Sequence, residues 1–268
     1  MRPMWRATVA LVLVVGSVTP LEQARAQAVP DAAPLYDRSD WILLGGLLAS
    51  QLVVFPLDDD LRELAADWRG PASDDVAAAL RPLGRTKELA AVSAATYALG
   101  MVISNRRVAD FGLHALVSLA LSNAVTGGLK AVTGRARPIT RQADGTWIRR
   151  DPDDWDLFGG WGSDGERTAY ASGHTSNAFA LATVFAEELG GAAGWVAYPI
   201  AAGVAWSRLN DEAHWASDVV MGALVGIASG QLVVRHGHRR DGWLERTLLV
   251  DPMASLDRVY VGVQIPAP

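Results

Sequence analysis

The chain is a succession of apolar stretches of helix length, and almost none of it alternates. Residues 41–55, 88–103, 108–130, 175–189, 195–206 and 215–234 each stay mostly apolar for a dozen residues or more. Runs of that length exceed an ordinary strand, so they argue for helices. Residues 58–68 and 73–80 read as polar, surface-type helices, and Pro56 is expected to stop the helix before them. The Asp58-Asp59-Asp60 run is read as a solvated helix start. Residues 139–169 are different: Gly, Asp, Trp and Arg dominate and no period is sustained. This stretch is expected to be a long loop, and such loops in compact domains are commonly functional. Trp147, Trp155 and Trp161 within it suit either an apolar approach to a site or loop anchors. A polar break follows at 236–240, and residues 259–263 alternate enough for a short strand. The fold class expected is all-α, a helical bundle.

The amino terminus looks like an export signal. Arg2 and Arg6 precede an apolar run at 7–18, and Ala24-Arg25-Ala26 and Ala26-Gln27-Ala28 offer small-x-small cleavage sites. The division expected is a signal peptide at 1–28, a catalytic domain at 29–245 and a tail at 246–268. Cysteine is absent, which excludes disulfides, thiolate metal sites and a cysteine nucleophile. A net charge of -5 without a basic stripe gives no reason to expect nucleic acid.

Three short stretches carry chemistry, each at a helix end. They are Lys130-Ala-Val-Thr-Gly-Arg-Ala-Arg137-Pro138, Ala171-Ser172-Gly173-His174, and Ser207-Arg208-Leu-Asn-Asp-Glu-Ala-His214-Trp-Ala-Ser-Asp218. A phosphate needs fixed positive partners. Arg supplies a planar fork that donates in pairs to its oxygens, and Lys adds a point charge. Ser172-Gly173-His174 precedes a helix, whose free N–H groups favour an anion, and Gly lets a ligand approach the backbone. His214 and Asp218 are four residues apart and can share a helix face. A carboxylate on one imidazole nitrogen fixes the tautomer and leaves the other nitrogen for substrate. That makes His214 a candidate nucleophile, Asp218 its orienter and His174 a candidate general acid.

Together these stretches resemble the three motifs of the type 2 phosphatidic acid phosphatase and vanadium haloperoxidase superfamily. Lys130, Arg137 and Pro138 match the first motif, Ser172, Gly173 and His174 the second, and Ser207, Arg208, His214 and Asp218 the third, in order and with matching gaps. Ala171 stands where the family usually has Pro. The resemblance implies a helical bundle of that type, with a long loop between the first and second motifs. It implies phosphate binding by Lys130, Arg137 and Arg208, assisted by Ser172 and the Gly173 amide. It also implies attack by His214 to form a phosphohistidine, protonation of the leaving group by His174, and no metal or other cofactor. The expected lack of a metal agrees with the reading that the sequence holds no metal-ligand cluster. The substrate expected is a phosphomonoester or pyrophosphate, soluble or lipid-borne. A vanadate-dependent haloperoxidase is the alternative, since the same cradle binds vanadate.

The apolar runs are expected to be too short to span a bilayer; residues 41–55 are 15 against a requirement of about 20. Glu187-Glu188 would place acids at a turn where positive residues are preferred. Counting spans from a cleaved signal also puts Lys130 on the wrong side for an exported substrate. These points favour an exported, periplasmic protein that at most touches the membrane. The alternative is an integral protein with its site facing the periplasm.

Overall fold

The computed structural model describes residues 36–141, 144–162 and 165–238. The strand expected at 259–263 and the signal at 1–28 lie outside the described residues.

The first long helix, α1 (Arg38–Val54), opens on a reciprocal cap. The Asp37 carboxylate accepts from the Asp40 N–H at 3.0 Å, and the Asp40 carboxylate accepts from the Asp37 N–H at 2.6 Å. Pro56 does not end the segment. It sits in the first turn of a 3-10 helix (Phe55–Leu57), where the N–H that proline lacks is not needed. The chain runs on into α2 (Asp58–Asp67), giving 30 helical residues from Arg38 to Asp67. The 15-residue estimate therefore fell short, because a proline at an N1-type position was read as a stop.

Helix α3 (Pro71–Leu80) and a 3-10 turn (Arg81–Gly84) lead into α4 (Thr86–Val102) and α5 (Arg106–Thr133). Gly134, in the left-handed region at φ 53°, ends α5. The expected loop then contains a small antiparallel hairpin, β1 (Ile139–Arg141) on β2 (Trp147–Arg149), with Thr140 opposite Ile148. Helices α6 (Gly173–Leu189), α7 (Gly191–Asn210) and α8 (Ala216–Gly237) complete the bundle.

Helices α6 and α8 pack closely because α8 presents Gly222, Gly226 and Gly230 one turn apart. A Cβ at Gly226 would lie 2.4 Å from the Ser176 carbonyl oxygen, and one at Gly222 would lie 2.6 Å from that of Ser172. This is a small-residue stripe of the kind that lets two backbones approach. The apolar core forms beside it, from Leu44 and Leu47 of α1, Phe179 of α6, Val204 of α7 and Val219 and Ile227 of α8. Gly226→Leu is expected to drive these helices apart, since backbone cannot yield as a side chain can. A loss of about 3 kcal/mol or more should appear in thermal unfolding. An unchanged Tm would mean that α6 and α8 do not pack this way.

Contacts at the two ends set the direction of the bundle. At one end Asp40 of α1 meets Arg235 and Gln231 of α8, and Arg235 also pairs with Glu187 of α6 at 2.7 Å. At the other end Asp58, after α1, meets residues before α6 and at the start of α8. So α1 and α8 begin and end at one level, and the three motif stretches gather at the opposite level. The acids Glu187 and Glu188 are not a bare acidic turn. Glu187 is paired with Arg235, and Glu188 lies against His114 and His238.

Among the described residues, three helices are long and apolar enough to cross a membrane: Arg38–Asp67, α5 and α8. Only 28% of the most apolar stretch of the first is buried, against 83% for α8. Large apolar side chains face outward from several helices. Leu52 of α1 and Val102 of α4 are each 82% exposed, and Trp41, Ile42, Val92, Trp195 and Val196 are also exposed. An apolar exterior spread over several helices is unusual for a protein surrounded by water. It overturns the reasoning from short apolar runs.

Candidate active site

Six of the eight residues singled out from sequence line one cavity of about 310 Å³. Lys130 comes from the last turn of α5 and Arg137 from the strand of loop beyond Gly134. Gly173 and His174 open α6, Arg208 closes α7, and His214 precedes α8. The sequence brings them together because each of these helices starts or ends at the same level. Thr86, Asn123 and Thr126 complete the polar wall. Asn123 Nδ2 donates to Asn177 Oδ1 at 2.7 Å, and Asn177 Nδ2 donates to the Gly84 carbonyl at 3.1 Å and to Thr86 Oγ1 at 2.9 Å. These bonds tie the starts of α4 and α6 to α5 beside the cavity.

The other two candidates sit just behind the wall. Ser172 is fully buried and caps α6, its hydroxyl accepting from Thr175 Oγ1 at 3.0 Å. Its N–H donates to the Asp218 carbonyl at 2.9 Å. The hydroxyl therefore supports the helix entry rather than facing the cavity. Asp218 is also fully buried. Its Oδ2 accepts from the Trp215 N–H at 2.8 Å and lies 3.6 Å from His214 Nδ1. That gap exceeds a hydrogen bond, and His214 Nδ1 has no hydrogen-bond partner among the described residues. Catalytic hydrogen bonds of this sort are commonly long in a ligand-free site and shorten when substrate binds.

The cationic side chains are held with donors to spare. Arg137 Nε donates to the Gly165 carbonyl at 2.8 Å and one Nη donates to Thr168 Oγ1 at 3.2 Å. Arg208 donates to Asp211 at 2.7 Å, and Arg81 grips the same carboxylate through two bonds at 3.0 and 2.9 Å. Arg208 Nε and Nη1 are buried with no hydrogen-bond partner among the described residues. Buried donors without partners are costly, and an anion in the cavity would satisfy them. Lys130 has no ion-pair partner among the described residues. Three cations thus converge on the cavity, with Asp211 beside Arg208 and Asp218 behind the wall, and the convergence suits a phosphate.

The imidazoles respond to this field. Burial, and then Arg137, Lys130 and Arg208, hold His214 well below the usual imidazole pKa. His174 is lowered to about 4, by burial first and then by Arg208, Lys130 and Arg137. Both rings are therefore neutral near pH 7 in the empty site. A phosphate bearing about two negative charges would offset the three cations and raise both values.

The residue that sequence reasoning missed is Arg135. It is fully buried and all five of its N–H groups have acceptors at hydrogen-bond distance. Nη1 donates to Asp218 Oδ1 at 2.7 Å and to Ser217 Oγ at 2.6 Å. Nη2 donates to Asp58 Oδ2 at 2.7 Å and to the Pro152 carbonyl at 2.8 Å, which Nε also reaches at 3.0 Å. Phe55, Trp155 and Trp215 ring the guanidinium at 4.7–5.4 Å. Asp58 is likewise fully buried, and it also accepts from the Ser217 N–H at 2.9 Å. The expectation of a solvated acidic run holds for Asp59 and Asp60 and fails for Asp58, because the buried Arg135 supplies its counter-charge. Trp155 acts as a loop anchor here, tilted against Phe55 and edge to face with Tyr170. Trp147 and Trp161 stay exposed.

Residues 111–241 match the model of the PAP2 superfamily. Lipid A 1-phosphatase of Porphyromonas gingivalis is 33% identical over 193 residues, which is 69% of this chain and 36% of that protein. The chain thus spans about a third of that relative's length. The crystal structure of Aquifex aeolicus LpxE aligns with a TM-score of 0.49 at 20% identity, over 67% of this chain and 95% of that one. Residues 111–241, which hold all three motif stretches and every residue lining the cavity except Thr86, belong to the PAP2 superfamily.

Proposed function

We propose that this chain is a phosphatase that removes a phosphate group from a lipid through a phosphohistidine intermediate. The observation that carries this is the single cavity in which Lys130, Arg137 and Arg208 converge on two neutral imidazoles. The three cations and the Gly173 amide hold the phosphate oxygens. His214 attacks phosphorus with the imidazole nitrogen that faces away from Asp218, and the P–O bond to the lipid breaks. His174, protonated once the bound phosphate has offset the three cations, gives its proton to the departing oxygen, and Asp218 balances the charge that His214 gains. Water then attacks the phosphohistidine, with His174 taking its proton, and inorganic phosphate leaves.

The lipid part of the proposal rests on the outward apolar faces of α1, α4 and α7 and on the relative named for lipid A. The chain is proposed to cross the membrane through Arg38–Asp67, α5 and α8 together with the helices that return it between them, α4, α6 and α7, with the cavity end facing the periplasm. Helices α1 and α8 then have their outer ends together on the opposite side. The span count expected from a cleaved signal conflicts with this orientation; a count in which α1 is the first crossing does not.

The direct test is a hydrolysis screen of the purified chain. Lipid A, phosphatidic acid, polyprenyl diphosphate and water-soluble monoesters would be compared by phosphate release. Lipid phosphates are expected to give the highest kcat/KM. Preference for soluble monoesters would overturn the lipid assignment, and halide oxidation dependent on vanadate and peroxide would favour the haloperoxidase alternative.

The pH profile follows from the field in the cavity. The nucleophile must be neutral, and His214 is depressed in the free enzyme. The acid limb of kcat/KM is therefore expected below the ordinary imidazole value of about 6.5. An acid limb centred at 6.5 or above would show that the cations do not act on His214.

A further inference from the structure

The end of the bundle away from the cavity holds a second convergence of ligating side chains. His114 of α5, Glu188 at the end of α6 and His238 just after α8 place one ligand atom each within 4.8 Å of one another. They are 74 and 50 positions apart in the sequence, so no spacing motif announces them. His114 Nδ1 makes a short contact with Glu188 Oε1, and His238 Nε2 lies 3.3 Å from the same oxygen. The two rings are 5.6 Å apart, edge to face.

We propose that these three residues form a site for a transition-metal dication of the zinc type. Two imidazole nitrogens and one carboxylate oxygen are the donor set that such ions prefer over magnesium or calcium. The 3.3 Å separation of His238 Nε2 and Glu188 Oε1 matches the edge of a tetrahedron with bonds of about 2.0 Å. The His114–Glu188 contact must lengthen to admit the ion. The fourth position would take water.

The backbone is arranged to hold His114 in the required orientation. A Cβ at Gly237 would fall 2.1 Å from His114 Nε2, so glycine there lets the tip of the ring approach the end of α8. With Nε2 against that backbone, Nδ1 is left to face Glu188. The neighbouring Arg235 is already neutralised by Asp40 and Glu187, so it does not oppose a cation. The site would clip α5, α6 and α8 together. It lies about 21 Å along α6 from His174, too far to touch the reacting phosphate.

Because the chain has no cysteine, metal binding must come from histidine and carboxylate groups. The test uses the full chain purified without a polyhistidine tag and treated with chelator. Zn2+ is then titrated by calorimetry, and Co2+ is added as a reporter. One Zn2+ per chain is expected, with Co2+ giving the visible absorption of four-coordinate geometry and Zn2+ raising the Tm. Glu188→Gln and His238→Ala should each weaken binding by at least ~10-fold. The exposed His238 tolerates replacement if the partly buried Glu188 does not. Phosphate release at saturating substrate should stay within about twofold of wild type in His238→Ala. Zn2+ uptake that is absent in the wild type, or equal in the wild type and His238→Ala, would overturn the proposal. In that case the three residues are a hydrogen-bonded cluster only.

Discussion

His214→Ala is expected to lower kcat by about 10³-fold or more while leaving the phosphate cradle able to bind. Removing a nucleophile abolishes the covalent route, whereas Lys130, Arg137 and Arg208 keep their positions. His214 is buried but makes no hydrogen bond that the fold depends on; its Nδ1 has no partner at hydrogen-bond distance. The variant should therefore fold, and its Tm should rise on addition of vanadate or phosphate as for wild type. Kinetics near wild type in a folded His214→Ala protein would remove it from the mechanism.

Arg135→Ala is expected to cost about 3–5 kcal/mol of stability, the largest single loss outside the core. It strands Asp58 and Asp218 as unpaired carboxylates with no exposure to solvent. It also empties the space between Phe55, Trp155 and Trp215. Arg135→Lys keeps the charge but can supply at most three of the five donors, and it should recover only part of the loss. Asp218 holds the charge that faces His214, so activity should fall further than the folded fraction does. Unfolding measured at matched lipid or detergent concentration checks the first effect, and kcat per folded molecule checks the second. A Tm unchanged by Arg135→Ala would contradict the buried network.

Much of the fold and of the site is legible in the sequence. The helix segments follow from long apolar runs, and six cavity residues follow from three short stretches whose gaps match a family. What the sequence hid was long-range pairing. Asp58 looks like one of three solvated acids, because nothing local shows that Arg135, 77 positions later, will neutralise it. Arg135 lies inside a stretch already singled out, yet its role depends on Asp58, Ser217 and Pro152 arriving from three other segments. The hairpin in residues 139–149 carries too little apolar alternation to be seen. Pro56 was misread for a different reason: the same residue stops a helix in its interior and opens one at its first turn. That one position changed a 15-residue run into a 30-residue helix, and with it the view of the membrane.

The central claim is that His214 carries the phosphoryl group. It is tested most directly by rapid quench of the enzyme with a ³²P-labelled lipid phosphate, followed by mapping of the labelled peptide. The account predicts a label stable to alkali and labile to acid, located on His214, present in wild type and absent in His214→Ala. Turnover by the wild-type enzyme with no such label under conditions that trap the intermediate, or a label on another residue, would contradict it.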